Sequence, residues 1–175
     1  DHINFAIERI GQGIKPENAL LWEIKQFYPQ EFRLGQYAVE LIKERLGMDM
    51  PEDEAGFIAM HFVNAQIGGE IREVYDMTYL MQAALRIVRE VYGAEPDSST
   101  IEYYRFITHL KFFARRIVGS QKYGDEDTDL LEVVRFKYPR AFACAEKICS
   151  YVLTEKGFRA GDNELLYLTI HIARV

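Results

Sequence analysis

A chain of 175 residues is one large or two small domains, and 49% hydrophobic with 27% charged residues excludes a disordered polymer. The net charge of −6 argues against a surface that grips a phosphate backbone, which needs clustered Lys and Arg. The longest apolar run, LLYLTIHIA at 165–173, is about half a membrane span, nothing at the start reads as a signal peptide, and Cys144 and Cys149 form no disulfide framework, so a cytoplasmic protein without membrane insertion is expected.

In chain order the elements read as helices. Residues 1–10 carry Ile3, Ile7 and Ile10 as one helical stripe. In KPENALLWEIKQFYP, Pro16 suits a first helical turn and Glu17 its positive end, and Tyr28-Pro29 interrupts. The next stretch, EFRLGQYAVELIKERLG, places Phe32, Tyr37, Leu41, Ile42 and Leu46 on a helix stopped at Gly47. Another helix opens at Pro51 with acidic residues in its first turn and ends at Gly68-Gly69. Over 70–92 the series Ile71, Val74, Met77, Leu80, Met81, Leu85 and Val88 predicts an amphipathic helix. GAEPDSS at 93–99 reads as a linker, and Ser99 with Glu102 as a capping box for the helix that follows. GSQKYGDEDTD at 119–129 is a polar loop. No segment alternates as a strand would, so the class is all-α. The aromatic residues Phe5, Trp22, Phe27, Phe57, Tyr75, Phe112 and Tyr167 are read as core.

The sequence repeats itself. At an offset of 110, Leu20-Leu21 falls on Leu130-Leu131, Tyr28-Pro29 on Tyr138-Pro139, Phe32 on Phe142, Gly47 on Gly157, Glu54 on Glu164 and His61 on His171. At an offset of 107, His2 falls on His109, Phe5 on Phe112, Arg9 on Arg116 and Ile10 on Ile117. The change of offset implies one small insertion, placed within 119–129. Two tandem copies of one helical module, 1–95 and 96–175, account for the series.

All four histidines thus occupy matched positions, one first and one last in each module. A single His on an apolar helix face is ordinarily structural, and duplication of the whole set shifts the balance toward function. Zinc binding would need further ligands that no spacing supplies, and no catalytic signature is present. Phosphoryl acceptance fits better. An imidazole with a pKa of about 6.5 is mostly neutral at neutral pH and has a lone pair to attack phosphorus, and an Arg can pair with the product. Arg9 and Arg116 follow their His by seven residues, two turns on, roughly 10 Å along the axis.

The stretches DHINFAIERI, AMHFVNAQ, THLKFFARRI and LTIHIARV, in this order, resemble the paired phosphotransferase-system regulation domains of the BglG/SacY antiterminators. The resemblance covers essentially the whole chain. It implies tandem helical bundles that homodimerise, normally preceded by a small domain that binds leader RNA. It further implies that His2 and His61 take inhibitory phosphate through a sugar-specific enzyme II, and that His109 and His171 take activating phosphate from the carrier HPr. Asp1, Arg9 and Arg116 would support the acceptors, and Thr108 stands where the first copy has Asp1. No cofactor or metal and no enzymatic activity is implied. No basic RNA-binding segment precedes Asp1, so the chain is expected to be the regulatory fragment of such an antiterminator, serving β-glucan or β-glucoside use. Phosphorylation of the second module would tighten its dimer, and the first module would act oppositely. The alternatives are a helical dimerisation module with structural histidines and a metal-dependent hydrolase.

Overall fold

A computed structural model describes residues 2–14, 16–120 and 128–175, apart from the side chains of His2, Ile3 and Thr128. Among these residues there are nine helices and no strand: α1 (His2–Gly11), α2 (Leu21–Phe27), α3 (Pro29–Leu46), α4 (Glu52–Ile67), α5 (Ile71–Tyr92), α6 (Ile101–Val118), α7 (Thr128–Lys137), α8 (Pro139–Lys156) and α9 (Asp162–Ile172). The chain divides into two compact units, 1–78 and 79–175, the division falling inside α5. The polar segment assigned to the small insertion lies largely outside the described residues.

The repeat is visible in the backbone itself. Tyr28 (φ −129°, ψ 53°) leaves helical space to end α2, and Pro29 opens α3, where its missing N–H costs nothing. Tyr138 repeats this at φ −129°, ψ 59° before Pro139. Gly47 (φ 67°) and Gly157 (φ 65°) then close α3 and α8 in the left-handed conformation that a side chain would strain.

Three expectations are corrected. The helix containing His109 is capped by Thr100, whose hydroxyl accepts from the Tyr103 amide at 3.1 Å, while the Ser99 hydroxyl donates to Asp97. Pro16 lies ahead of α2 rather than in its first turn. The Asn18 amide donates to Asp53 and its side chain accepts from the Leu20 amide, so the chain turns there and the helix starts at Leu21. Of the seven aromatics read as core, Phe27 is fully buried, but Phe5, Trp22, Phe112 and Tyr167 are more than half exposed. Other aromatics, among them Phe32, Phe106, Phe113 and Phe142, are buried with the aliphatic side chains instead.

In the first unit the core gathers Leu20, Ile24, Phe27, Met60 and Val74. Here the buried Thr78 hydroxyl donates to the Val74 carbonyl at 2.7 Å, so the Tyr28 hydroxyl, 3.3 Å away, is the donor to Thr78. Burial holds the Tyr28 phenol above its usual pKa, which keeps that donor protonated. In the second unit Phe106, Leu110, Phe113, Ile148 and Ile172 are buried. Cys144 and Cys149 are free, with burial pushing their thiols up to about 11 and about 12, so neither is an activated nucleophile.

α3 and α4 approach closely at Gly35, where a Cβ would run into the backbone carbonyl of Ala55. The matching position in the second unit is Ala145, so α8 and α9 leave room for a methyl group that α3 and α4 do not. Gly35→Ala is therefore expected to destabilise the first unit by about 1–3 kcal/mol as overpacking. It should lower the urea midpoint of that unit; an unchanged midpoint would show that the helices can part without cost.

Candidate functional site

In the second unit α6 and α9 run antiparallel, because residues 109 and 116 of α6 meet residues 171 and 164 of α9. The Arg116 guanidinium donates through Nε and Nη2 to the two carboxylate oxygens of Glu164, the second bond being 2.6 Å. Glu164 is buried and Arg116 largely so. Seven residues away along each helix, about two turns, the imidazoles of His109 and His171 stack with centroids 3.9 Å apart and planes 24° from parallel. Tyr167 lies beside His109 with its ring plane only 11° away, at 6.4 Å between centroids. These groups, with Asn163 and the aromatic rings of Phe106 and Phe112, line a cavity of about 410 Å³.

The electrostatics favour a neutral His171. Burial pushes its pKa down to about 4, and the neighbouring His109, Arg174 and Arg105 push in the same direction. At neutral pH this ring keeps a lone pair. The Thr108 hydroxyl donates to the Tyr104 carbonyl of its own helix, so its proton is not offered to His109.

The first unit repeats the ion pair. Arg9 Nη2 donates to Glu54 Oε1 at 2.7 Å, and the Glu54 side chain is fully buried. The Arg9 guanidinium also lies over the rings of Phe5 and Phe57, 5.2 and 5.9 Å from their centroids. His61 is exposed at the surface, with desolvation lowering its pKa below the ordinary value. Asp1 and the side chain of His2 lie outside the described residues.

The structure thus brings His109, His171 and Arg116 to one cavity and places Arg9 on the buried face of α1. It also supplies what reading each helix by itself missed: Glu54 and Glu164. The signal was present. Each Glu precedes its His by seven residues, and each Arg follows its His by seven, so antiparallel helices pair Arg with Glu wherever they pair His with His. The second oversight concerns Phe112 and Tyr167, which wall the cavity rather than fill the core. Among the described residues, no group of three or more His, Cys, Asp or Glu side chains is placed to hold a metal ion.

Because the folded pKa of His171 is depressed, its contribution to stability is full above the unfolded value of about 6.5 and is lost as pH falls toward 4. An NMR titration of the His171 ring should show no protonation at pH about 6, and His171→Gln should flatten the acid side of the stability curve. A titration midpoint at the ordinary histidine value would contradict this account of the cavity.

Comparison with known proteins agrees with the repeat. The family model described as the PRD domain matches residues 1–65 and again 82–175. The chain is 46% identical over its whole length to the transcription antiterminator LicT of Bacillus subtilis, covering 63% of that protein. It is 45% identical to the beta-glucoside operon antiterminator of Dickeya chrysanthemi, covering 62% of it, and 29% identical over 98% of the chain to the PtsGHI operon antiterminator of Bacillus subtilis, covering 60%. The chain thus spans a little over three fifths of the length of these relatives. Two matches to one family model, falling on two units that share the bounds of α3 and α8 and a buried Arg–Glu pair, place the chain in the PRD domain family.

Proposed function

We propose that this chain is the regulatory part of a transcription antiterminator, acting in the cytoplasm, and that phosphorylation of its histidines by the sugar phosphotransferase system sets its dimerisation. RNA binding would belong to a further domain that precedes these modules. The observation that carries the reading is the stacked His109–His171 pair on a cavity wall, with His171 held neutral. The names of the relatives, all three antiterminators and one of them of a beta-glucoside operon, agree with it.

In this reading the chain is an acceptor and not an enzyme. A ring-nitrogen lone pair of His109 or His171 attacks the phosphorus of a phosphohistidine on the carrier HPr. The new P–N bond forms as the carrier's P–N bond breaks. The carrier imidazole keeps the bonding electron pair and takes up a proton, and the acceptor ring releases one from its other nitrogen. His2 and His61 take the corresponding group through the sugar-specific enzyme II. Arg9, Arg116 and Asp1 are the supporting residues, and the functional modules are 1–95 and 96–175. β-Glucosides or β-glucans are the sugars sensed, as the printed name of the Dickeya relative suggests.

Each phosphoryl group adds about −1.5 to −2 charges, doubled in a symmetric dimer. Inverting a two-state population from about 1:99 to 99:1 takes about 5.5 kcal/mol, within the range of a few charge-assisted hydrogen bonds.

Incubating the chain with the carrier and its kinase should yield phosphohistidine at His109 or His171, located by mass spectrometry of peptides under mildly alkaline conditions. Peptides without phosphate would favour histidines that are structural. In the same reading, His109→Asp/His171→Asp should dimerise more tightly than the parent by sedimentation, and equal dissociation constants would sink the proposed coupling.

A further inference from the structure

The helix pair α6–α9 is a ladder of three rungs. The first is Arg116 with Glu164. The second, seven residues along each helix, is His109 with His171. Continuing in the same direction brings α6 back to Arg105 and carries the chain past the end of α9 to Arg174. Arg105 precedes His109 by one helical turn, about 6 Å along the axis. Arg174 follows His171 by three residues, in a turn where its amide donates to the His171 carbonyl at 3.2 Å. Both are exposed.

Positions 105 and 174 thus add two cations at this end of the ladder. The ion pairs formed among the described residues involve neither Arg105 nor Arg174. Each lies within one helical turn of a stacked imidazole, Arg105 four residues before His109 and Arg174 three residues after His171. Their field reaches the second rung, where both disfavour a charged His171. The Arg116 guanidinium, by contrast, is committed. It forms two parallel bonds to a carboxylate that is itself buried, and withdrawing it would strand that charge away from water.

We infer that Arg105 and Arg174, rather than Arg116, receive the phosphoryl group carried by His109 or His171. Arg116 then acts one step back, as a positioning residue that holds α6 to α9 through Glu164. This inference rests on the phosphoacceptor reading and deepens it by assigning the counter-charge. It also separates the two units. The place of Arg174 is taken in the first unit by Asn64, three residues after His61. A phosphoryl group on His61 meets a neutral amide there, whereas one on His171 meets a guanidinium. At this position the added charge meets a cation in the second unit and none in the first.

The experiment uses the full 175-residue chain, treated with potassium phosphoramidate, a small donor that phosphorylates imidazole nitrogen. Mass spectrometry locates the group, and a 31P NMR titration follows its second ionisation, near pH 6. Paired guanidiniums hold that midpoint down. Arg105→Gln/Arg174→Gln should raise it by about one pH unit, a tenfold loss of preference for the dianion. Arg105→Lys/Arg174→Lys should restore most of the shift, since charge rather than shape is at issue. Arg116→Gln/Glu164→Gln, which removes both charges of the first rung together, should leave the midpoint nearly in place. If the Gln pair at 105 and 174 leaves the midpoint unmoved, or the 116/164 pair moves it as far, the assignment is overturned while the phosphoacceptor reading stands. If phosphoramidate places no phosphate on either histidine, both fall.

Discussion

The feature on which the rest of each unit depends is a guanidinium held by a buried carboxylate, joining the unit's opening His-bearing helix to its closing one. Taking both charges out of water is expensive. The Coulombic return covers that cost only when the geometry is good and the remaining donors are satisfied. Arg116 and Glu164 meet this condition with two parallel bonds; Arg9 makes one bond to Glu54, its buried Nε has no hydrogen-bond partner among the described residues, and its guanidinium lies over two aromatic faces. A pair of this kind is weak evidence for stability, but it has only one good register. A slip of one residue turns a helix by about 100° and takes a long side chain off its partner. The ion pair therefore determines which residues face each other two turns away, and in the second unit those are the two imidazoles.

That placement has chemical consequences. Imidazoles stacked at 3.9 Å cannot both carry charge cheaply, and burial on one side with cations nearby holds His171 neutral. A neutral ring is the nucleophilic form, so the environment that disfavours imidazolium favours attack on an electrophile such as phosphorus. The same cations that depress the imidazole pKa are attractive to a dianion. In the proposed phosphoacceptor role, nucleophile activation and product stabilisation would come from one charge distribution.

Much of this was legible in the sequence because it is written twice. Tyr-Pro junctions, glycine stops and matched histidines gave helix boundaries that the backbone repeats, as in α3 and α8, both opened by Pro and closed by a left-handed Gly. What escaped depends on which helices meet. Glu54 read as one of the acidic residues in a first turn and Glu164 as its repeat, and helical periodicity says nothing about a partner on another helix until the antiparallel pairing of α6 with α9 is known. The aromatics misled for a related reason. Phe112 and Tyr167 have the size and spacing of core residues, yet they stand on the faces that flank the histidines, where a cavity replaces the interior. The Thr100 cap escaped because Ser99 and Thr100 are equally good caps one residue apart. The choice fell to Asp97, which accepts from the Ser99 hydroxyl and leaves Thr100 for the Tyr103 amide.

Duplication followed by divergence explains why the two units keep one part of this arrangement and vary another. The Arg–Glu pair is present in both, because losing either partner strands a buried charge at a cost of about 3–5 kcal/mol. Positions near the histidines in sequence have changed: Phe57 against Tyr167, Asn64 against Arg174, Asp1 against Thr108. If the two modules read two inputs with opposite effect, as proposed above, they must differ in interaction free energy between their states, and identical modules would provide no such difference. The conserved rung fixes where an added charge would appear; the variable positions decide whether that charge meets a cation. On that proposal, opposite responses to the same modification would require only a few substitutions at the surface end of the ladder, with the core untouched.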